Sequence, residues 1–138
     1  MKIFIDSNIW LRFFLADEEK SFKACQKLFQ LVEAGKIKPY TSTLVLLEVY
    51  YVLNSVYKIV STSVFQDLKD ILATRNLTLV EKTDFVKSLD LCKALKIKLA
   101  DCLISCQIPE NTFLVTYDKD FKKFKNLKVK RPEELTKN

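Results

Sequence analysis

Histidine is absent from this sequence, which removes imidazole from every mechanism open to the protein. Nothing remains to activate a serine or cysteine in the usual way, and no side chain has an ordinary pKa near neutrality to shuttle protons. Hydrolytic chemistry is left to carboxylates, lysine or a metal, and a metal held by oxygen ligands would be Mg²⁺ or Mn²⁺. Glycine occurs once and proline three times, so there is little material for a flexible linker, and neither an internal repeat nor a low-complexity tract is present. No uninterrupted apolar stretch approaches the ~18 residues of a membrane span. The opening Met1-Lys2-Ile3-Phe4-Ile5-Asp6 brings in a carboxylate too early for a secretory core. A cytoplasmic protein with no membrane association is expected. Cys25, Cys92, Cys102 and Cys106 lack the dense spacing of a disulfide framework and are expected to be small, free core residues.

The 138 residues suit one domain spanning 1–138, and a hydrophobic content of 49% supplies a core. The net charge of +6, from 23 basic and 17 acidic side chains, favours a polyanionic partner but is equally compatible with a solvated basic surface.

Hydrophobic patterning predicts alternating elements. Lys2 to Ile5 reads as a buried strand ended by Asp6-Ser7-Asn8, residues that favour turns and caps. Phe22, Cys25, Leu28, Phe29 and Val32 recur at helical spacing, with Gly35 placed to cap the helix. A second strand is expected over 37–41. Ser42 or Thr43 would then cap an apolar helix running to about Val56, and another helix would cover 63–74. A third strand at 77–80, a helix introduced by Thr83-Asp84 and carrying Phe85, Leu89, Cys92 and Leu95, and a short helix over 101–106 follow. Strands at 112–115 and, edge-like, at 127–130 complete the order. Strands alternating with helices imply a mainly parallel sheet covered on both faces, with ligands beyond the carboxyl ends of its strands.

Four acidic residues stand out against this pattern. Asp6 and Asp118 fall where strands end, although each is also a plausible helix or turn cap. Glu48 is the only charge between Leu44 and Val56 and shares a helical stripe with Leu44, Leu47 and Tyr51, which should face the core or a cleft. Asp101 is the one charge in Leu99-Ala100-Asp101-Cys102-Leu103-Ile104. Asp120 competes with Asp118. Gathered into one pocket, such carboxylates would repel one another and raise their pKa values, a conflict that a divalent metal resolves.

At these same places the chain resembles the PIN-domain family, in particular the VapC-type toxins of prokaryotic toxin–antitoxin pairs. Ile3 to Leu11 is similar to the family's opening strand with its D-[ST]-N signature. The segments around Glu48 and Asp101 resemble its second and third blocks, and Thr116-Tyr117-Asp118-Lys119-Asp120-Phe121 the T-x-D-x-[DE]-F block. The resemblance implies an α/β, PIN-like three-layer fold with a five-stranded, mainly parallel sheet, and an endoribonuclease using Mg²⁺ or Mn²⁺. Its catalytic and metal-holding residues would be Asp6, Glu48, Asp101 and Asp118, supported by Ser7, Asn8, Thr116 and Asp120. It further implies RNA as substrate, a VapB-like antitoxin as partner and a homodimer. Cys102 departs from the alanine common at that position and sets an oxidisable thiol beside the site.

Lys119, Lys122, Lys123, Lys125, Lys128, Lys130 and Arg131 offer a route for the RNA backbone. Trp10, Phe14, Tyr50, Tyr51 and Tyr57 offer contact surface where they are not core. Two other functions remain open: a PIN nuclease devoted to RNA maturation, and a non-catalytic basic RNA-binding module whose acids are structural. Phosphatase or receiver chemistry is disfavoured, because Asp6-Ser7-Asn8 lacks the second aspartate two positions on.

Overall fold

The computed structural model describes residues 1–137. Its centre is a five-stranded sheet in the order β3-β2-β1-β4-β5, formed by β1 (Lys2–Ile5), β2 (Lys38–Ser42), β3 (Thr78–Val80), β4 (Thr112–Val115) and β5 (Lys128–Lys130). Every pairing is parallel. β1 is the middle strand, and Ile3, Phe4 and Ile5 are fully buried. A strand buried on both faces reads as a continuous apolar run rather than an alternating one, which is the pattern of Lys2 to Ile5. Helices α1 (Ser7–Leu15), α2 (Glu19–Glu33), α3 (Thr43–Tyr51), α4 (Ser61–Leu72), α5 (Phe85–Leu95), α6 (Leu99–Gln107) and α7 (Pro132–Leu135) cover the sheet. None among the described residues is long and apolar enough to cross a membrane.

Local chemistry accounts for the helix ends. The Ser42 hydroxyl accepts a hydrogen bond from the Val45 N–H at 3.2 Å and starts α3. Asp84 does the same for α5 through the Lys87 N–H. α2 ends at Glu33, and two residues on Gly35, whose φ of +76° belongs to the left-handed region, turns the chain; Gly35 N–H then reaches Val32 O and Lys36 N–H reaches Leu31 O, satisfying carbonyls the helix would leave open. α3 continues as a wider, π-helical turn over Val52–Val56, so the apolar run ends where its pattern predicts, with changed geometry.

Several boundaries shift. α4 begins and ends earlier than the pattern predicts, and α6 starts two residues sooner, at Leu99. α7 and the 3₁₀ turn Lys119–Lys123 carry too few apolar residues to be read from periodicity. Of the two expected surroundings, core or cleft, the stripe containing Leu44, Leu47, Glu48 and Tyr51 faces a cleft: Leu47 and Tyr51 are more than half exposed, while Val45, Val49 and Leu53 are fully buried. An almost wholly apolar helix has no contrast by which to choose its buried side. Likewise Phe85, Leu89 and Leu95 of α5 lie at the surface, and Ser88 is the buried residue.

β1 lies between β2 and β4. Chain leaving β1 leads through α1 and α2 to β2 on one side, whereas chain leaving β4 leads to β5 on the other. Diverging connections open a crevice beyond the carboxyl ends of β1 and β4, the place where open parallel sheets bind ligands.

Candidate active site

Asp6 follows β1 directly and is 3% exposed. It caps α1, one Oδ accepting from the Ser7 N–H at 2.8 Å. Its other Oδ accepts from the Thr116 hydroxyl at 2.7 Å and the Asn8 amide at 3.3 Å. Thr116, one residue past β4, also accepts from Asn8 Nδ2 and from the Asp118 N–H, both at 3.0 Å. That uses the whole bonding capacity of a hydroxyl, one donor and two acceptor positions. Asn8 Oδ1 accepts from the Tyr117 N–H at 3.0 Å. Asp6-Ser7-Asn8 and Thr116-Tyr117-Asp118, about 110 positions apart in the chain, are thus joined into one network that sets the direction of two carboxylates. Capping and site geometry coexist at Asp6, and Asp118 likewise caps the 3₁₀ turn by accepting from the Asp120 N–H at 2.9 Å.

The other acids come from helices. Glu48, on α3, accepts a hydrogen bond from the Ser7 hydroxyl at 3.4 Å. Asp101 lies in the first turn of α6, not at its cap, which is Lys98. Glu48 Oε1 and Asp101 Oδ2 are buried and have no hydrogen-bond partner among the described residues. Burial and then the carboxylates of Asp6 and Asp101 push Glu48 up to about 7. Burial and then Asp118 push Asp101 up to about 6, opposed by Lys98. Asp6 is raised by burial first, against its hydrogen bonds from Thr116 and Ser7, with Asp118 adding to the rise. Among the described residues, none of Asp6, Glu48, Asp101, Asp118 or Asp120 takes part in an ion pair.

All eight residues expected from the sequence are therefore brought together at one crevice. Among the described residues, Asp101, Asp118 and Asp120 are the three that each place one carboxylate oxygen within 4.8 Å of the others. Asp120 is a full member of that group, whereas Asp6 is anchored by three donors. Lys98, a cation that favours the charged form of both Glu48 and Asp101, escaped the sequence reading; its position three residues before Asp101 on a helix start was the available signal. The Cys102 thiol is fully buried, and burial raises its pKa, which makes it an inert core residue. Cys25 is buried too, Cys92 and Cys106 are half-buried, and all four are free thiols.

Clustered, unpaired carboxylates with buried orphan oxygens are costly without a cation. An all-oxygen donor set suits a hard divalent ion such as Mg²⁺ or Mn²⁺. The residues present therefore fit such an ion.

Thr116 offers a test of the network. Thr116→Val keeps the shape but removes the hydroxyl that serves Asp6, Asn8 and the Asp118 N–H. We expect a stability loss of about 1–3 kcal/mol in denaturant unfolding and a roughly 10–100-fold loss of metal affinity by titration calorimetry, the usual cost of removing a group that orients metal ligands. Unchanged metal affinity in a folded variant would contradict the role given to this hydroxyl.

Solved structures share this architecture. One chain of VapBC2 from Rickettsia felis, bound to a DNA fragment from its promoter, matches with a TM-score of 0.68 at 21% identity over 95% of this chain and 98% of that one. VapBC-1 from nontypeable Haemophilus influenzae gives 0.69 at 15% identity, covering 96% and 98%. A toxin–antitoxin complex from Klebsiella pneumoniae gives 0.62 at 22% identity, covering 94% and 97%. No curated protein matches the sequence. The PIN domain model matches residues 3–127, from the first residues of β1 to the threshold of β5, taking in every acidic residue of the crevice. The chain belongs to the PIN-domain family.

Proposed function

We propose that this protein is a divalent-metal-dependent endoribonuclease, the toxin of a VapBC-type toxin–antitoxin pair. The observation that carries the reading is the convergence of Asp6, Glu48, Asp101, Asp118 and Asp120 at the β1/β4 crevice, with two buried carboxylate oxygens left unpartnered. Asp101, Asp118 and Asp120 would hold an ion, with Glu48 and Asp6 completing the acidic shell. When bound, the ion would polarise the scissile phosphate and lower the pKa of the attacking water. The chain's own part is orientation. Thr116 and Asn8 hold the Asp6 carboxylate still, Ser7 ties Glu48 to the start of α1, and the Asp118 N–H bonded to Thr116 sets the loop that presents Asp118 and Asp120. Hydrolysis would leave a 5′-phosphate and a 3′-hydroxyl.

An antitoxin and a second copy of the chain are the proposed protein partners. Support for the antitoxin comes from three fold neighbours: VapBC2, VapBC-1 and a structure described as a toxin–antitoxin complex. Support for contact surfaces comes from two apolar clefts. One, of about 640 Å³, lies beside Glu48 and is lined by Leu44, Leu47, Tyr50, Tyr51 and Val52. The other, of about 230 Å³, lies among Trp10, Phe13, Phe14, Phe29 and Ile71. The first cleft carries the more exposed apolar groups, Leu47 and Tyr51, and clustered exposed apolar groups mark interaction sites more often than plain surface; Trp10 and Ile71 of the second are buried.

The test is cleavage of total RNA by the purified chain with Mg²⁺, with Mn²⁺ and with excess EDTA. We expect 5′-phosphorylated fragments with either metal and none in EDTA. Full-rate cleavage in EDTA would overturn the mechanism, and RNA binding without cleavage under every condition would make the chain a binding module.

A further inference from the structure

The seven cations between Lys119 and Arg131 do not all border the acidic crevice, although Lys128 and Lys130 share one face of β5, their Nζ atoms 6.0 and 5.9 Å from the centre of the Phe113 ring. Lys119, Lys122, Lys130 and Arg131 line a cleft of about 100 Å³ that also takes in Asp118. Lys128 lines a different cleft, at the amino ends of β4 and β5 with Thr112 and Asn111. Lys123 and Lys125 line neither. Four cationic side chains thus meet two carboxylates, Asp118 and Glu134, at a wall of the acidic crevice.

Glu134 organises part of this cleft. It accepts from the Arg131 N–H at 3.1 Å and lies 3.8 Å from Lys130 Nζ. That hydrogen bond, then the cations Lys130, Arg131 and Lys122, hold its carboxyl below the usual range. Lys119 and Lys122 make no ion pair among the described residues, and Lys130 and Arg131 stay substantially exposed. Tyr117 spends its hydroxyl on Glu133 at 2.8 Å. The cleft therefore offers charge and little with which to read a base.

We propose that the cleft of Lys119, Lys122, Lys130 and Arg131 is a subsite for a backbone phosphate of RNA flanking the scissile bond. This rests on the nuclease reading, since Asp118 is the wall common to cleft and acidic cluster. The subsite sets affinity and register but not base preference.

Steady-state cleavage of a single-stranded oligoribonucleotide across a KCl series, with Mg²⁺, tests it on wild type, on Lys119→Gln/Lys122→Gln, and on Lys123→Gln/Lys125→Gln, which removes the same charge outside the cleft. The cleft pair should raise KM roughly tenfold and lower the slope of log affinity against log salt by about 0.7, the value for one lost phosphate contact on a single strand, with kcat within about twofold. The outside pair should change the slope by less than half as much. If wild type cleaves and the two pairs behave alike, the subsite is wrong and the nuclease stands. If wild type does not cleave, the nuclease reading fails instead; anisotropy of the same oligonucleotide in EDTA then ranks the pairs, and equal affinities overturn the subsite as well.

Discussion

Asp101→Asn is expected to lower RNA cleavage in saturating Mg²⁺ by roughly a thousandfold or more while leaving the protein folded. The size follows from the several kcal/mol of charge stabilisation a catalytic ion provides, each 1.36 kcal/mol being a factor of about ten. Asp101 is a cleaner choice than Asp6 for this measurement. Asp6→Asn would turn an amide donor toward the Thr116 hydroxyl or the Asn8 amide, both of which already donate to it, so lost activity could reflect a broken network. Asp101 Oδ2 has no donor facing it, and the neutral isostere removes charge without orphaning a neighbour. Single-turnover cleavage beside the far-ultraviolet circular dichroism of both proteins decides the matter. A folded variant retaining a tenth or more of wild-type rate would remove Asp101 from the catalytic set.

The same substitution should stabilise the metal-free protein at alkaline pH. Folding raises Glu48 from 4.5 to about 7 and Asp101 from 3.8 to about 6, so between those limits the folded chain binds more protons than the unfolded one. Stability contributed by these groups therefore falls as pH rises through that window and levels off above about 7. Asp101→Asn and Glu48→Gln remove the penalty. Relative to wild type without metal, each should gain little near pH 4 and about 1 kcal/mol by pH 8, or roughly 4 °C in Tm, after allowing for solvent around the half-buried Glu48. Added Mn²⁺ at about a hundred times its Kd should raise the wild-type Tm by roughly 10 °C at pH 8. The gain should shrink toward pH 5.5, where protons compete for the ligands. In Asp101→Asn the metal-induced rise should largely vanish. Calorimetric scans across this pH range check both halves. A variant less stable than wild type at pH 8, or a wild type indifferent to metal there, would contradict a carboxylate cluster under repulsion.

Much of this molecule is local in origin. The apolar run of β1, the caps at Ser42 and Asp84 and the glycine after α2 act within a few residues of themselves, and their signals survive in a linear reading. The acidic positions were legible for a related reason: a lone carboxylate in an apolar helix, as at Glu48 or Asp101, is improbable without a partner. The family's spacing then linked these residues to a single site.

Other features depended on contacts distant in sequence. The family resemblance marked Thr116 as a supporting residue, but that its hydroxyl binds Asp6 in particular was decided only once β4 lay beside β1. Leu47 and Tyr51 were indistinguishable from core residues until packing chose Val45 and Val49 for the interior. Asp120 joined the close carboxylate group through the 3₁₀ turn that Asp118 caps. The sequence by itself determined which residues could carry the chemistry, since residue type and local burial set what a side chain can do. Only the tertiary structure decided which of them meet, because distances between remote segments depend on the order and direction of the strands.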